Sequence, residues 1–166
     1  MTDRDLYLQQ IIEENPGIQF REIMRSSGLK NGVLSHYLGK LEKTGTIKVI
    51  RGPRQVRFYS PQITEDESIV IKALRKQTPR DLLLALIEND GLEFSQLVNT
   101  VRKSPSTVSI YLSQIIDDGL VEMKFVQLKK RYYIKARDLI DKLVEDYRPG
   151  SLEKPTSGFE DIINSF

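Results

Sequence analysis

The sequence predicts a mainly α-helical chain with two small β hairpins, an α+β fold class, built as two tandem domains joined by a helical linker. One observation is an internal repeat: Glu14-Asn15-x-Gly17-x-x-Phe20 returns 74 residues later as Glu88-Asn89-x-Gly91-x-x-Phe94, without a gap. The other is that apolar residues at helical spacing precede alternating, strand-like segments in both copies. Identities, apolar positions and turn glycines match together over nearly 60 residues, which indicates two copies of one unit.

Each copy predicts the order helix, helix, helix, strand, turn, strand. In the first copy, Thr2 caps a helix that has Asp5 at its N3 position and ends at Asn15-Pro16-Gly17. The second helix ends at Gly28, and Gly45 takes the left-handed position after the third. The apolar faces of the three helices are Leu6, Leu8, Ile11 and Ile12, then Phe20, Ile23 and Met24, then Leu34, Tyr37, Leu38 and Leu41.

A hairpin closes the first copy. Thr46–Ile50 and Val56–Ser60 alternate like strands, and the turn Arg51-Gly52-Pro53-Arg54 separates them. Three helices followed by a two-stranded hairpin therefore make up the predicted unit.

The second copy follows the same plan. Thr78 caps its first helix with Pro79 at N1, and Asn89-Asp90-Gly91 ends that helix. Ser104-Pro105 opens the third helix, which ends at Gly119. The predicted strands of its hairpin are Val121–Val126 and Arg131–Ile134, and the apolar face of its third helix consists of Val108, Tyr111, Leu112, Ile115 and Ile116.

The segments outside the two copies are also patterned. Thr64-Glu65-Asp66-Glu67 is a capping box that starts a linker helix reaching about Lys76, and Ala136–Tyr147 is an amphipathic helix. A second capping box, Ser157-x-x-Glu160, precedes a short apolar segment. The predicted divisions are 1–61 and 78–135 for the domains, 62–77 for the linker, 136–148 for the C-terminal helix and 149–166 for a flexible tail.

Composition excludes several classes of protein. The chain has no cysteine, so disulfides and thiolate metal sites are excluded, and His36 is the single histidine, without companions for a metal site. We find no phosphate-binding loop and no nucleophile paired with a base, so we expect no enzyme activity and no cofactor. No segment has the length of a signal peptide or membrane span, and we expect a soluble, cytoplasmic protein.

Positive charge is concentrated in the same part of each copy. Residues 29–61 carry a net charge of +6 and residues 101–137 carry +5, although the whole chain has only +2. Charged residues that only keep a surface soluble are not expected to cluster at equivalent positions of a repeat. The pattern is typical of a surface that binds a polyanion.

Each half resembles a winged helix-turn-helix domain of the MarR/ArsR type found in prokaryotic transcription regulators, and two in one chain resemble the tandem regulators common in archaea. The first copy carries the resemblance through Phe20-x-x-Ile23-Met24 and Val33-Leu34-Ser35-x-x-Leu38-x-x-Leu41-x-x-x-Gly45-x-Ile47, and the second through Phe94-x-x-Leu97-Val98 and Thr107-Val108-Ser109-x-x-Leu112-x-x-Ile115-x-x-x-Gly119-Leu120-Val121. The resemblance implies a cytoplasmic, nucleoid-associated regulator that binds double-stranded DNA sequence-specifically.

The third helix of such a domain lies in the major groove, and the hairpin, or wing, tracks phosphates or the minor groove. The candidate DNA-binding residues of the first copy are Lys30, Asn31, Ser35, His36 and Lys40 on the helix, and Arg51, Arg54, Gln55 and Arg57 on the wing. Those of the second copy are Arg102, Lys103, Ser106, Thr107 and Ser109, then Lys124, Lys129, Lys130 and Arg131. The segment from Ser104 to Asp118 has no lysine or arginine, so the second domain either binds backbone more than bases or faces a partner.

The alternative function is a protein-interaction adaptor in a transcription or chromosome-associated complex. Phe159, Ile162, Ile163 and Phe166 follow at i, i+3, i+4, i+7 spacing, so the segment Phe159–Phe166 either docks into a partner groove, folds back on its own domain or is disordered. A homodimer through Ala136–Tyr147 is a further expectation, and it would bring four DNA-binding domains together.

Overall fold

Three helices and a small antiparallel sheet form the first half of the chain. The computed structural model describes residues 1–146, and the described residues of its first unit run from Met1 to Ser68. The elements are α1 (Asp3–Glu14), β1 (Ile18–Gln19), α2 (Phe20–Ser27), α3 (Asn31–Lys43), β2 (Lys48–Arg51) and β3 (Val56–Tyr59). Leu8, Ile12, Ile23 and Leu34 are fully buried at the centre of this unit.

Helix α1 begins where the sequence predicts. The Asp5 amide donates to the Thr2 hydroxyl at 3.1 Å, and the Thr2 amide donates to the Asp5 carboxylate at 3.0 Å, which completes a capping box. Leu6 differs from the prediction, because its side chain is 53% exposed and takes no part in the buried face. Gly28 and Gly45, the residues predicted to end α2 and α3 in the left-handed conformation, have φ of +72° and +74°.

The sheet contains one strand that the sequence did not predict. Strand β1 pairs with β3 through Ile18 and Phe58, so the strand order is β1-β3-β2. Two residues are too few to show an alternating pattern. The short strand nevertheless ties the turn after α1 to the hairpin β2–β3, called here the first hairpin.

The second unit begins at Ile69, within the helix α4 (Glu65–Leu74). Its further elements are α5 (Gln77–Glu88), α6 (Phe94–Val101), α7 (Pro105–Asp117), β4 (Val121–Val126), β5 (Lys129–Ile134) and α8 (Arg137–Asp146). Strands β4 and β5 form a two-stranded sheet, the second hairpin. The mainly α fold with two small hairpins is thereby confirmed, while the predicted domain and linker limits stay predictions.

Three details of the second unit differ from the prediction. Helix α5 begins at Gln77 with Lys76 as its N-cap, so Thr78 and Pro79 lie inside the first turn, where a missing amide hydrogen costs little. Helix α6 ends at Arg102 in the left-handed conformation, φ +56°, where the first copy has Gly28. Strand β5 starts two residues earlier than expected, at Lys129, because the hairpin closes through a tighter turn.

A hydrogen bond from a hairpin arginine to a glycine carbonyl recurs in both units. Arg57 Nη1 donates to the carbonyl of Gly17 at 2.8 Å, and Arg131 Nη1 donates to the carbonyl of Gly91 at 2.9 Å. The amides of the two glycines donate in turn to the carbonyls of Phe58 and Tyr132. In each unit these bonds join the turn after the first helix to the returning strand of the hairpin.

The carboxylate of Asp5 connects α1 to α3 as well as capping α1. Lys40 Nζ lies 3.1 Å from Asp5 Oδ2, and the Asp5 side chain is almost completely buried. The backbone hydrogen bond from Thr2, with the Lys40 ammonium adding to it, lowers the pKa of Asp5 from 3.8 to about 2. The folded state therefore stabilises the charged form of the Asp5 carboxylate.

Some predicted features lie outside the described residues. The predicted tail 149–166 and its apolar segment Phe159–Phe166 belong to this group, as does Tyr147. Within residues 1–146, no helix is long and apolar enough to cross a membrane.

We expect Arg57→Met to lower the free energy of unfolding of the first unit by about 1–3 kcal/mol, because it leaves the Gly17 carbonyl without its donor. The matched change Arg131→Met should cost less, since that side chain is 34% exposed and water can replace it at Gly91. Urea denaturation followed by far-ultraviolet circular dichroism measures both. Equal losses for the two variants would contradict the role of burial.

The lowered pKa of Asp5 predicts an acid-dependent stability. A carboxylate with a depressed folded-state pKa stabilises the fold above its unfolded value of 3.8, and this contribution is lost as the pH falls towards about 2. Asp5→Asn should unfold more easily at neutral pH and should lose part of the pH dependence in that interval. Thermal unfolding across the interval tests this, with the exposed neighbour Asp3→Asn as the control that should change neither property.

Candidate nucleic-acid interface

Helix α3 presents small polar side chains on its exposed face. Asn31, Ser35 and His36 are exposed, while Leu34, Leu38 and Leu41 on the opposite face are buried. The Ser35 hydroxyl donates to Asn31 Oδ1 at 3.2 Å, and His36 lies edge-on to Tyr37 with their ring centroids 5.5 Å apart. Small side chains let this face approach a groove closely, and their hydrogen-bonding groups match base edges.

The N-terminus of α3 adds a favourable electrostatic environment. Lys30 is the N-cap residue, and no side chain caps the first turn, so the amides of that turn are open to an external acceptor. Lys30 is exposed beside them. A phosphate group would meet both the unpaired amides and the lysine ammonium there.

The arginines predicted for the first hairpin have three different environments. Arg51 makes two hydrogen bonds to the carboxylate of Glu42, at 2.7 and 2.8 Å, and this pairing lowers the pKa of Glu42. Arg54 is exposed at the tip and makes no ion pair within residues 1–146. Arg54 is therefore the cation of this hairpin most available to a phosphate.

Arg57 differs from the prediction. It is only 5% exposed, its guanidinium donates to the Gly17 carbonyl, and its Nε donates to Gln55 Oε1 at 3.1 Å. A buried guanidinium that holds two internal acceptors cannot reach a nucleic-acid backbone, so we exclude Arg57 from the candidate interface. The bond from Arg57 also occupies the amide oxygen of Gln55.

Lys40 has a second role besides the predicted one. Its ammonium is held against Asp5, which places the cation at the side of α3 facing α1. The structure also brings Arg4 to this region: its guanidinium lies 5.1 Å from the ring centroid of Tyr37. Arg4 was not predicted from the sequence, because it lies 33 positions before Tyr37 and outside the basic block.

The exposed face of α7 carries serine hydroxyls and the apolar Ile110, and it has no lysine or arginine. Ser104 is the N-cap and accepts from the Thr107 amide at 3.2 Å, and its hydroxyl also contacts those of Ser106 and Thr107. Ser109 is exposed further along the helix. The cations of this region, Arg102 and Lys103, are exposed in the turn that precedes α7.

Acidic neighbours partly neutralise the cations of the second hairpin. Lys124 lies 3.2 Å from Glu122, and Lys129 and Arg131 both approach one oxygen of Glu93, at 3.7 and 3.5 Å. Lys130 differs from them, because its ammonium lies 6.0 Å from the ring centroid of Phe125. Arg131 also holds the Gly91 carbonyl, so its role is structural at least in part.

Two family models match the chain, one in each half. Residues 2–48 match a family described as winged helix-turn-helix DNA-binding, and residues 72–123 match the bacterial regulatory protein, arsR family. Among solved structures, the chain is similar to a transcriptional regulator of the MarR family from Silicibacter pomeroyi, at 21% identity and a TM-score of 0.38. That similarity covers 60% of this chain and 78% of the other. No curated protein matches the chain.

The two family matches fall on the two copies of the repeat and include the third helix of each copy. Both families consist of DNA-binding regulators, which are not enzymes, and this agrees with the predicted absence of catalysis. The two matches therefore support a chain of two tandem winged helix-turn-helix domains, and with them a DNA-binding regulator of transcription.

Proposed function

We propose that this regulator binds double-stranded DNA sequence-specifically and uses both winged-helix domains, its two heads, to do so. One observation carries the proposal: the exposed face of α3 combines hydrogen-bonding groups at Asn31 and Ser35 with the exposed Arg54 on the adjoining hairpin. Such a face can contact base edges while the hairpin holds the phosphate backbone.

In the first head, Asn31 is the residue best suited to discriminate bases. Its side-chain amide can accept from and donate to an adenine edge at the same time, which is the geometry that reads adenine in the major groove. In the free protein, Asn31 Oδ1 accepts from Ser35. Binding would exchange this neutral, exposed hydrogen bond for bonds to a base, at small cost.

Phosphate contacts should supply most of the affinity. The two basic blocks, +6 and +5, coincide with the third helices and hairpins of the two heads. Cations that neutralise phosphates release counterions, so binding should weaken steeply with salt. In the second head, the cations lie beside helix α7, which has no lysine or arginine, and this favours backbone contact over base contact there.

A second candidate function is that of an adaptor that binds another protein. The observation that favours it is Ile110, which is exposed on the helix face where a base-reading head usually carries polar groups. Dimerisation through α8 is a related proposal, but Ile140 and Leu143 are already buried within the unit. A dimer would have to use the half-buried Leu139 and Val144 instead.

The experiment that tests the proposed function is a salt series of binding to fluorescent duplex DNA. One duplex comes from the promoter region of the protein's own gene, and the other has a random sequence. Tighter binding to the promoter duplex, with a steep salt slope on both, is the expected result. Absence of binding at low salt would favour the adaptor, and a search for a protein partner would follow.

Two substitutions should separate base contacts from phosphate contacts. We expect Asn31→Ala to reduce the preference for the promoter duplex by about 1–3 kcal/mol while binding to random DNA stays unchanged. Arg54→Gln should weaken binding to both duplexes and lower the salt slope by about 1. Lys72→Gln, an exposed charge on α4 in an acidic stretch, is the matched control. Equal losses on both duplexes for Asn31→Ala would exclude the base-reading role.

A further inference from the structure

The tip of the second hairpin is apolar, in contrast to the first. Phe125 is 66% exposed and Leu128 is 98% exposed. At the offset of 74 residues, Phe125 and Leu128 take the places of Arg51 and Arg54 in the first hairpin. The two arginine positions of the first hairpin are thus the two apolar positions of the second, and the paired residues Lys48 and Tyr59 correspond to Glu122 and Tyr133 at the same offset.

The turn that carries Leu128 has an unfavourable backbone. Gln127 and Leu128 have φ of +52° and +67°, and they form a two-residue loop between the paired residues Val126 and Lys129. A loop of this kind favours Asn-Gly, because other side chains are strained at positive φ. A strained leucine that is almost fully exposed to water does not stabilise the fold. Its presence at the tip therefore indicates a role in binding.

Lysines surround the apolar tip of the second hairpin, and they indicate which class of partner it can bind. Paired residues of the hairpin share a face, so Lys130 accompanies Phe125 on one face and Lys129 accompanies Val126 on the other. Residues 121–134 carry four cations and the single acid Glu122. A protein groove would have to bury these lysines at a desolvation cost. A duplex offers phosphates on the outside for the lysines and stacked bases inside for the apolar tip.

We infer that the second hairpin inserts Leu128, supported by Phe125, as a wedge between base pairs from the minor groove, while Lys129 and Lys130 meet the flanking phosphates. Apolar side chains that enter a base step in this way unstack it and bend the duplex by roughly 20–90°. The inference rests on the proposed function, and it assigns the two heads different tasks. The first head reads sequence, and the second head deforms the DNA.

The test uses the full chain and the promoter-region duplex. One set of duplexes carries 2-aminopurine at successive positions, since its fluorescence rises when stacking is lost, and another carries a dye pair at its ends to report bending. The wild-type chain should raise the fluorescence several-fold at one step and shorten the end-to-end distance. Leu128→Gly should abolish both signals and leave binding within about 10-fold of wild type.

Leu128→Gly should fold at least as stably as the wild type, so a loss of signal in this variant cannot come from misfolding. Glycine relieves the positive φ, so Tm should rise by about 2–4 °C while the signals disappear. Val56→Ala, which trims an exposed apolar residue of the first hairpin, is the matched control and should keep the bend and the unstacking.

Each outcome distinguishes the wedge from the proposed function. Tight DNA binding without bending or unstacking, or with both signals intact in Leu128→Gly, overturns the wedge and leaves the DNA-binding function standing. Absence of DNA binding overturns both. A Leu128-dependent binding to vesicles of anionic lipid, or a Leu128-dependent dimer in sedimentation, overturns the wedge in favour of a lipid surface or a second copy.

Discussion

The hydrogen bond from a hairpin arginine to a glycine carbonyl is the contact on which each winged-helix unit depends. Arg57 to Gly17, and Arg131 to Gly91, join segments 40 residues apart in sequence. The helical core fixes one end of this contact and the hairpin supplies the other. A two-stranded hairpin has marginal stability on its own, and the arginine bond, together with the backbone bonds from Gly17 to Phe58 and from Gly91 to Tyr132, attaches it to the helices. With these bonds, the hairpin is held in place within its own unit.

Sequence patterns could predict the features that come from local physics. The cap at Thr2, the stops at Gly45 and Gly119, and the strands of both hairpins follow from capping geometry, positive φ and alternation. The strand β1 could not be predicted, since only its pairing with β3 makes it a strand. The start of α5 was also missed, because its N-cap Lys76 makes no side-chain cap bond, whereas Thr78-Pro79 just after it matches the usual signal for a helix start.

The candidate site shows the same limit more sharply. Counting charges in the first hairpin treats Arg51, Arg54 and Arg57 as equivalent, yet one is paired with Glu42, one is exposed and one is buried. The partners of the paired and buried arginines lie 9 and 40 residues away, so no local pattern could reveal them. The sequence could indicate that a basic surface exists. Only the fold shows which of its cations remain available.

The differences between the two hairpins bear on the symmetry of the target. Dimeric regulators meet DNA with two identical heads, and their operators are palindromes for that reason. Here the repeat places arginine at positions 51 and 54 but phenylalanine and leucine at 125 and 128. Under the proposed function, two unlike heads in one covalent chain would give the protein a direction along the duplex. Its preferred site should therefore be asymmetric, and reversing that site relative to a promoter should not be neutral.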